Sequence, residues 1–543
     1  MPRMTGGQAL VEALQIEGVT TVFGIPGHQN LDIYDALARQ QQIRHVLARH
    51  EEGVAYMADG YARATGQPGV AITTTGPGGC NAMAALGEAY ADSSPVLHVM
   101  SEIDLGFIGQ NRGIDHEMKD QLDCFRSVTS WNALVERPAQ IPELVREAFR
   151  RMRVGRPRPV QLQIPCDVQA MEEEVTLLPP TTYTPPSGDE RLVGRAVEVL
   201  NASERPLIYA GGGANRSGAS EELAILADLL QAPVLTTTNG KGAVPDDHLL
   251  GLGDAWARDA PAHRLVQAAD AVLAVGTRFQ ATMTARWTMQ MPERLVQIDI
   301  DSSELGKNYP VAVGIPGDAR TVLRQLAERL TPHAGRRAPR TEEVARVKAA
   351  QREYALNKAR AAVGVLDTVR SALPRDAIVT TNSLIGFWAN RFFPTYAPNT
   401  FFAPVGFSNM GFALPVAIGA RVGCPDRKVL GLSGDGSFLF SLQELHTAVC
   451  EGVPIVMLVC TDGAYGSIKF HQRRRFEGRY MAADFPAPDF VKLPESFGAR
   501  GVRLHGTDGL AGALGEGLAA DHPTVIELWG IPLAESSPFR HIE

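Results

Sequence analysis

No stretch of the chain approaches the ~18 consecutive apolar residues that a membrane-crossing helix needs. Its start, Met1-Pro2-Arg3-Met4-Thr5, lacks the apolar run of a secretion signal. Cysteine is scarce. The six present, at 80, 124, 166, 424, 450 and 460, show no C-x-x-C spacing, so neither a zinc site nor a disulfide framework is indicated. Charge of one sign is never massed: the formal net charge is −8, and the longest basic run is Arg473-Arg474-Arg475. Such a run reads as a solvated loop, not as a surface for nucleic acid or anionic lipid. These absences describe a reduced, cytoplasmic globular protein without a nucleic-acid or membrane partner. An apolar fraction of 45% in 543 residues suits an ordinary enzyme of about three domains.

What is present is a repeated alternation of short β-branched runs with helical patterns. Val19–Phe23, Val70–Thr74, Val96–Met100 and Val160–Ile164 read as strands, with the turns Gly24-Ile25-Pro26-Gly27 and Thr75-Gly76-Pro77-Gly78-Gly79 leading into helices. That spacing predicts a parallel α/β sheet. The proline-rich stretch from Leu178 to Pro186 reads as a linker. A second unit opens at Pro206–Gly213 and contains strands at Ala271–Val275 and Leu295–Asp299. The basic, apolar-poor segment from His333 to about Lys348 reads as a second linker. The expected organisation is three doubly wound parallel-sheet domains, over residues 1–175, 190–332 and 355–543.

In the third unit, the apolar run Lys428–Leu432 leads into Gly434-Asp435-Gly436-Ser437. A second run, Pro454–Val459, leads into Thr461-Asp462-Gly463-Ala464-Tyr465-Gly466. Gly-Asp-Gly turns are common in loops, and one alone says little. Here Asp462 lies 26 residues beyond Gly436 at the end of the next expected strand. A right-handed crossover would set the two turns side by side, where open α/β sheets bind ligands. Two carboxylates and a backbone carbonyl near Ala464 could supply the protein half of a Mg2+ shell, with phosphate supplying the rest. Arg49-His50-Glu51-Glu52-Gly53 allows a plainer reading, as two acids at a helix N-terminus. Gly76-Pro77-Gly78-Gly79 taken alone is a tight turn. Gly211-Gly212-Gly213 has no G-x-G-x-x-G spacing with a ribose-binding acid.

Taken in order, however, the segments Phe23–Gly27, Arg49–Arg63, Thr74–Gly79, Ala89–Pro95, Gly406–Ala420 and Gly434–Leu445 resemble the thiamine-diphosphate-dependent decarboxylases and carboligases. That superfamily includes acetolactate synthase, benzoylformate decarboxylase and pyruvate oxidase. The resemblance implies a pyrimidine-binding first domain, a Rossmann-like central domain and a diphosphate-binding third domain. It implies active sites shared between subunits of a homodimer or tetramer, and the cofactors thiamine diphosphate and Mg2+. Glu51 matches the acid that hydrogen-bonds the aminopyrimidine, and Met410 the apolar residue that wedges between the two cofactor rings. The Ser408 carbonyl matches the acceptor for the exocyclic amine. Asp435 and Asp462, with the Ala464 carbonyl, match the metal ligands, although the family usually has Asn where Asp462 stands. Gly76, Gly434, Gly436, Ser437, Tyr465, Gly466 and Asn382 or Ser383 are the further cofactor contacts implied. The implied chemistry is decarboxylation of a 2-oxo acid through an enamine that also permits carboligation.

Departures from the pattern narrow the branch. Acetolactate synthases carry R-F-D-D-R where this chain has Arg278-Phe279-Gln280-Ala281-Thr282, and a tryptophan where His471 stands. Both differences weaken a synthase assignment and argue against a structural FAD. Pyruvate decarboxylases place a glutamate where Ile468 stands. Ile114–Gln121 is similar to the H-E-x-x-D-Q stretch of 2-ketoarginine decarboxylases. The expectation is a non-oxidative 2-oxo acid decarboxylase, with an acetolactate-synthase-like transferase as the alternative. His28, Glu102, His116, Gln121 and His471 are the pocket candidates. For Glu102, His116 and Gln121 a purely structural hydrogen-bonding role competes.

Overall fold

The computed structural model describes residues 2–254 and 260–533. Three six-stranded sheets form in succession, and every pairing within them is parallel. A short antiparallel pair, β1 (Arg3–Thr5) with β8 (Glu172–Glu174), ties the chain start to the end of the first unit. The first sheet contains β2 (Thr21–Gly24), β3 (Arg44–Leu47), β4 (Gly69–Thr73), β5 (Val96–Glu102), β6 (Trp131–Leu134) and β7 (Val160–Pro165), in the order β3-β2-β4-β5-β7-β6. The central sheet contains β9 (Pro206–Ala210), β10 (Val234–Thr236), β11 (Gly251–Gly253), β12 (Ala271–Val275), β13 (Arg294–Asp299) and β14 (Val313–Pro316), in the order β11-β10-β9-β12-β13-β14. The third contains β15 (Ile378–Thr381), β16 (Phe401–Phe402), β17 (Val429–Gly434), β18 (Val456–Thr461), β19 (Arg500–His505) and β20 (Thr524–Trp529), in the order β16-β15-β17-β18-β20-β19.

The inner strands are largely apolar runs because helices cover both faces of each sheet. Val456, Met457, Leu458 and Val459 are all buried. The first and third sheets have the same order when their strands are counted along the chain, a relation their letters alone do not establish. These two units also pack on each other. The helix Glu51–Thr65 lies against the helix Ala413–Gly423 so closely that a Cβ on Gly419 would stand 1.9 Å from the Met57 carbonyl oxygen. A Cβ on Gly60 would stand 2.3 Å from the Val416 carbonyl oxygen.

Between Glu174 and Glu190 the chain has neither helix nor strand, as its prolines predict. The second expected linker is different. From Thr341 the chain is helical as far as Ala372, with a break at Ala359 (φ −152°, ψ 52°). Few apolar residues are needed because the helix buries one narrow face. Val344 joins the central core, while Val365, Leu366 and Val369 join the core of the third unit.

Candidate active site

The C-terminal ends of β2, β4 and β5 bring together most of the first unit's singled-out residues. Thr74 at the β4 turn faces Gly27, where a Cβ would meet its side chain at 2.6 Å, and its hydroxyl donates to Gln29 Oε1 at 3.0 Å. His28, itself exposed, opens a 3-10 turn beside it whose other residues, Gln29 and Asn30, are buried. Glu51 begins its helix after His50, whose Nδ1 caps the Glu52 amide at 3.2 Å. The Glu51 carboxylate accepts from Asn81 Nδ2 at 2.9 Å and lies beside Gly78, on the side of the TGPGG turn. Glu52 instead faces Asn409 in the third unit, and burial pushes its carboxyl up to about 7.

Glu102 ends β5 and is buried, which raises its pKa. It accepts from the Ile103 amide at 2.9 Å and the Thr75 hydroxyl at 3.4 Å. Gln121 Oε1 accepts from Thr75 Oγ1 at 2.7 Å and from the Gly76 amide at 2.9 Å, and its Nε2 donates to the Ser101 carbonyl. Gly76, at φ +62°, presses on the His116 carbonyl; a Cβ there would stand 2.5 Å from that oxygen. Thus Glu102, Gln121 and the backbone of His116 jointly shape the Thr75–Gly76 turn. The half-buried Glu117 carboxylate accepts from the amides of Arg112, Gly113 and Ile114, closing the preceding loop.

In the third unit, Gly434 pairs in register with Cys460 on neighbouring strands. The Asp435 and Asp462 turns therefore lie abreast. GDGS itself coils into a single helical turn, Asp435–Phe438. Asp435 Oδ1 accepts from the Gly436 amide at 2.8 Å. Its Oδ2 accepts from the amides of Asp462 and Gly463 at 3.2 and 2.8 Å, so one carboxylate ties both turns together. Burial raises the Asp435 pKa. Asp462 is exposed at the rim, yet partial desolvation and the charge of Asp435 push it up to about 6. Lys469, the cation that offsets Asp462 electrostatically, is bridged to Asp484. A Cβ on Gly436 would stand 2.9 Å from the Tyr465 ring. Ser437 Oγ accepts from the Gly411 amide at 3.0 Å, leaving its proton free to donate elsewhere. Asn382 Nδ2 donates to the Asn409 carbonyl at 3.0 Å, and Ser383 has φ +65°. Ala464 and Tyr465 are held by residues 483–485, through the Ala464–Asp484 bridge and the Tyr465 amide donating to Ala483 O at 2.8 Å.

Ser408 (φ +61°) and Met410 occupy the segment before the helix Ala413–Gly423. Sequence reasoning missed what holds this segment and its counterpart near Glu51. Glu88 accepts from the amides of Gly406, Phe407 and Ser408, and Glu444 from the amide of Arg49. Both carboxylates are fully buried. A glutamate inside an apolar helix was the available signal. His471 and Ile468 lie on the helix Gly466–Arg475 that follows the Asp462 turn.

The donor set between the Asp435 and Asp462 turns is oxygen-only. Two neighbouring carboxylates, one of them raised by the charge of the other, favour a hard divalent cation, and their small number leaves room for phosphate oxygens. Thiamine diphosphate with its metal fits these residues. Elsewhere, Gly211 and Gly213 allow close approach to Gly276, and with Arg216, Arg278, Arg156 and Asp299 they line a cavity of ≈ 430 Å³ between the first and central units.

Three parallel sheets, with paired carboxylates at adjacent strand ends and a glycine-rich turn on a matching sheet, define a cofactor-dependent α/β enzyme. Three family profiles match the chain. The thiamine pyrophosphate enzyme N-terminal TPP binding domain covers residues 4–124, the central domain 193–326, and the C-terminal TPP binding domain 383–528. A probable 2-ketoarginine decarboxylase of Pseudomonas aeruginosa is 38% identical over 97% of this chain and 94% of its own length. A probable acetolactate synthase large subunit of Methanocaldococcus jannaschii is 34% identical over 97% and 92%. The acetolactate synthase large subunit of Corynebacterium glutamicum is 33% identical over 97% and 86%. The chain belongs to the thiamine pyrophosphate enzyme family.

Proposed function

We propose that this protein catalyses the non-oxidative decarboxylation of a 2-oxo acid, using thiamine diphosphate and Mg2+, in a homodimer or tetramer whose sites lie between subunits. The observation that carries the metal–diphosphate half is the Asp435 carboxylate binding the amides of both turns. Asp435, Asp462 and the Ala464 carbonyl would hold Mg2+, and Ser437 with the backbone of Gly434, Gly436, Tyr465 and Gly466 would receive the diphosphate. Ser383 and Gly76 would complete the cofactor contacts. The three units divide this work as pyrimidine-binding (1–175), central (190–332) and diphosphate-binding (355–543).

When bound, thiamine diphosphate supplies the nucleophilic carbon and the electron sink that decarboxylation requires. The protein's share is positioning, proton management and exclusion of water. Glu51 would hold the proton at the pyrimidine ring, the Ser408 carbonyl would accept from its amine, and Met410 would fix the angle between the rings. Glu102, whose pKa is raised by burial, is one candidate for proton transfer. His28, His116 and His471 are the remaining candidates for proton transfer.

The similarity to a probable 2-ketoarginine decarboxylase and the Ile114–Gln121 stretch favour a long polar 2-oxo acid as substrate. The relatives named acetolactate synthase support a second reading, transfer between two 2-oxo acids. Thr282 standing where that branch carries arginine counts against it. A screen of 2-oxo acids, including 2-ketoarginine and arylglyoxylates, with thiamine diphosphate and Mg2+ separates the two. Aldehyde plus CO2 supports the first reading, and a 2-hydroxy-3-oxo acid as main product overturns it.

A further inference from the structure

The first and third units share a strand order, so their helices can be compared position by position. In both, the helix between the second and third strands begins at or just after residues assigned above to the cofactor's rings: Glu51 at the start of Glu51–Thr65, and Ser408 and Met410 before Ala413–Gly423. In both, the glycine-rich turn after the third strand is followed by a helical segment bearing one fully buried glutamate, Glu88 in Pro77–Ala91 and Glu444 in Glu444–Cys450. Each glutamate crosses to the other unit. Glu444 receives the Arg49 amide on both oxygens at 3.2 Å, and a Cβ on Gly53 would stand 2.4 Å from its Oε1. Glu88 Oε1 receives the Gly406 amide at 3.1 Å, and its Oε2 receives Phe407 and Ser408 at 3.2 and 2.7 Å. One turn further along, Asp92 Oδ2 receives the Val405 amide at 3.4 Å, so four successive N–H groups meet two carboxylates. Gly87 makes room for the Phe407 ring, which a Cβ would approach to 3.1 Å.

We propose that Glu88 is a positioning residue for the cofactor. It folds the Gly406–Ser408 turn that presents Ser408 and Met410, as Glu444 folds the turn that presents Glu51. The inference rests on the assignment of Ser408 and Met410 to the cofactor's rings. A buried carboxyl accepting several amides organises a turn more firmly than solvent can, because hydrogen bonds strengthen when water is excluded and an amide left without its acceptor there is costly. Ser408 at φ +61° shows that the turn needs such support. The cost is visible too: burial and Asp92 push Glu88 up to about 9.

The test uses full-length Glu88→Ala, Glu88→Gln and Glu444→Ala proteins with two readouts: amide exchange without cofactor, and the dissociation constant of thiamine diphosphate with Mg2+. Glu88→Ala is expected to speed exchange at 406–408 while sparing 49–50, and Glu444→Ala to do the reverse. Thiamine diphosphate affinity should fall by about tenfold or more in Glu88→Ala, since three amides of the turn lose their acceptor. Glu88→Gln, which keeps one acceptor oxygen, should fall between parent and Glu88→Ala; it also carries the test if Glu88→Ala does not fold. Equal loss of protection at both segments would mean that Glu88 merely holds the interface, and would overturn the proposal. So would faster exchange at 406–408 with unchanged cofactor affinity. A parent protein that does not bind thiamine diphosphate would instead overturn the cofactor assignment itself.

Discussion

Glu444 offers a prediction whose size can be worked from its surroundings. Its carboxylate is buried between the first and third units, and burial pushes its pKa from 4.5 up to about 7 despite bonds from Thr447 and the Arg49 amide. A carboxyl with a higher pKa in the folded chain than in the unfolded one keeps its proton longer when folded. Its contribution to stability is therefore full below pH 4.5 and is lost as the pH rises through 7. A shift from 4.5 to about 7 corresponds to about 3 kcal/mol at 1.36 kcal/mol per unit. Glu444→Gln removes the titration while keeping the shape. Its carbonyl can accept the Arg49 amide, and its NH2 can donate to Thr447 Oγ1. Without cofactor, the stability of the variant relative to the parent should rise by about 3 kcal/mol between pH 4.5 and 8.5. Urea unfolding followed by tryptophan fluorescence at half-unit pH steps measures the difference. Two parallel curves, offset by a constant, would refute the buried, proton-linked account of this carboxylate.

Asp462→Asn removes a charge beside the metal–diphosphate position and should change the order of thiamine diphosphate affinity among Mg2+, Mn2+ and Ca2+. Unchanged affinity with all three metals would show that Asp462 does not tune the metal. Gly419→Ala drives a methyl against the Met57 carbonyl oxygen, 1.9 Å from its ideal position. Both neighbours are helix backbone, so the cost should lie at the upper end of the ~1–3 kcal/mol typical of overpacking. A thermal midpoint equal to that of the parent would contradict this close helix crossing.

The strands were legible because parallel sheets bury both faces and so write themselves as unbroken apolar runs: Ala271–Val275 and the run at Pro206 are strands where the pattern put them. The paired turns at Asp435 and Asp462 were legible because strand ends in register bring successive turns together. The segment from Thr341 was not, since a helix that buries one narrow face looks like a polar linker by composition. Glu88 and Glu444 were hidden for the opposite reason. Their partners are backbone amides more than 300 residues away, and amides leave no letter in a sequence. Glu102 and Gln121 are pocket candidates by sequence, with a structural hydrogen-bonding role competing; the structure shows their bonds to Thr75 and Gly76, and residue type alone does not separate that task from catalysis.

The two related units carry unlike chemistry at matching places, which bears on where a complete site can form. After its third strand the first unit has Thr75-Gly76-Pro77, without an acid to hold a metal, and the third unit has Asp435. Before the matching helix the first unit has Glu51, and the third has Ser408–Met410. Within one chain, Glu52 faces Asn409, whereas Glu51 turns back to Asn81 and Gly78 on its own unit. If the sites are shared as proposed, Glu51 would meet a cofactor anchored at Asp435 in the third unit of a second subunit. Glu51→Gln and Asp435→Asn should each lower kcat by about 10²-fold or more, since each removes an essential half. Co-expressed in equal amounts, the two inactive chains should pair at random. Half the dimers would be hybrids, each with one doubly altered site and one site free of either change. About one quarter of the parent activity should return, the fraction that a two-fold dimer with shared sites requires. Sites built within single chains would give no recovery, because every chain would carry one defect. Activity that stays at the level of the separate variants, in preparations shown by mass to contain hybrids, would refute shared sites.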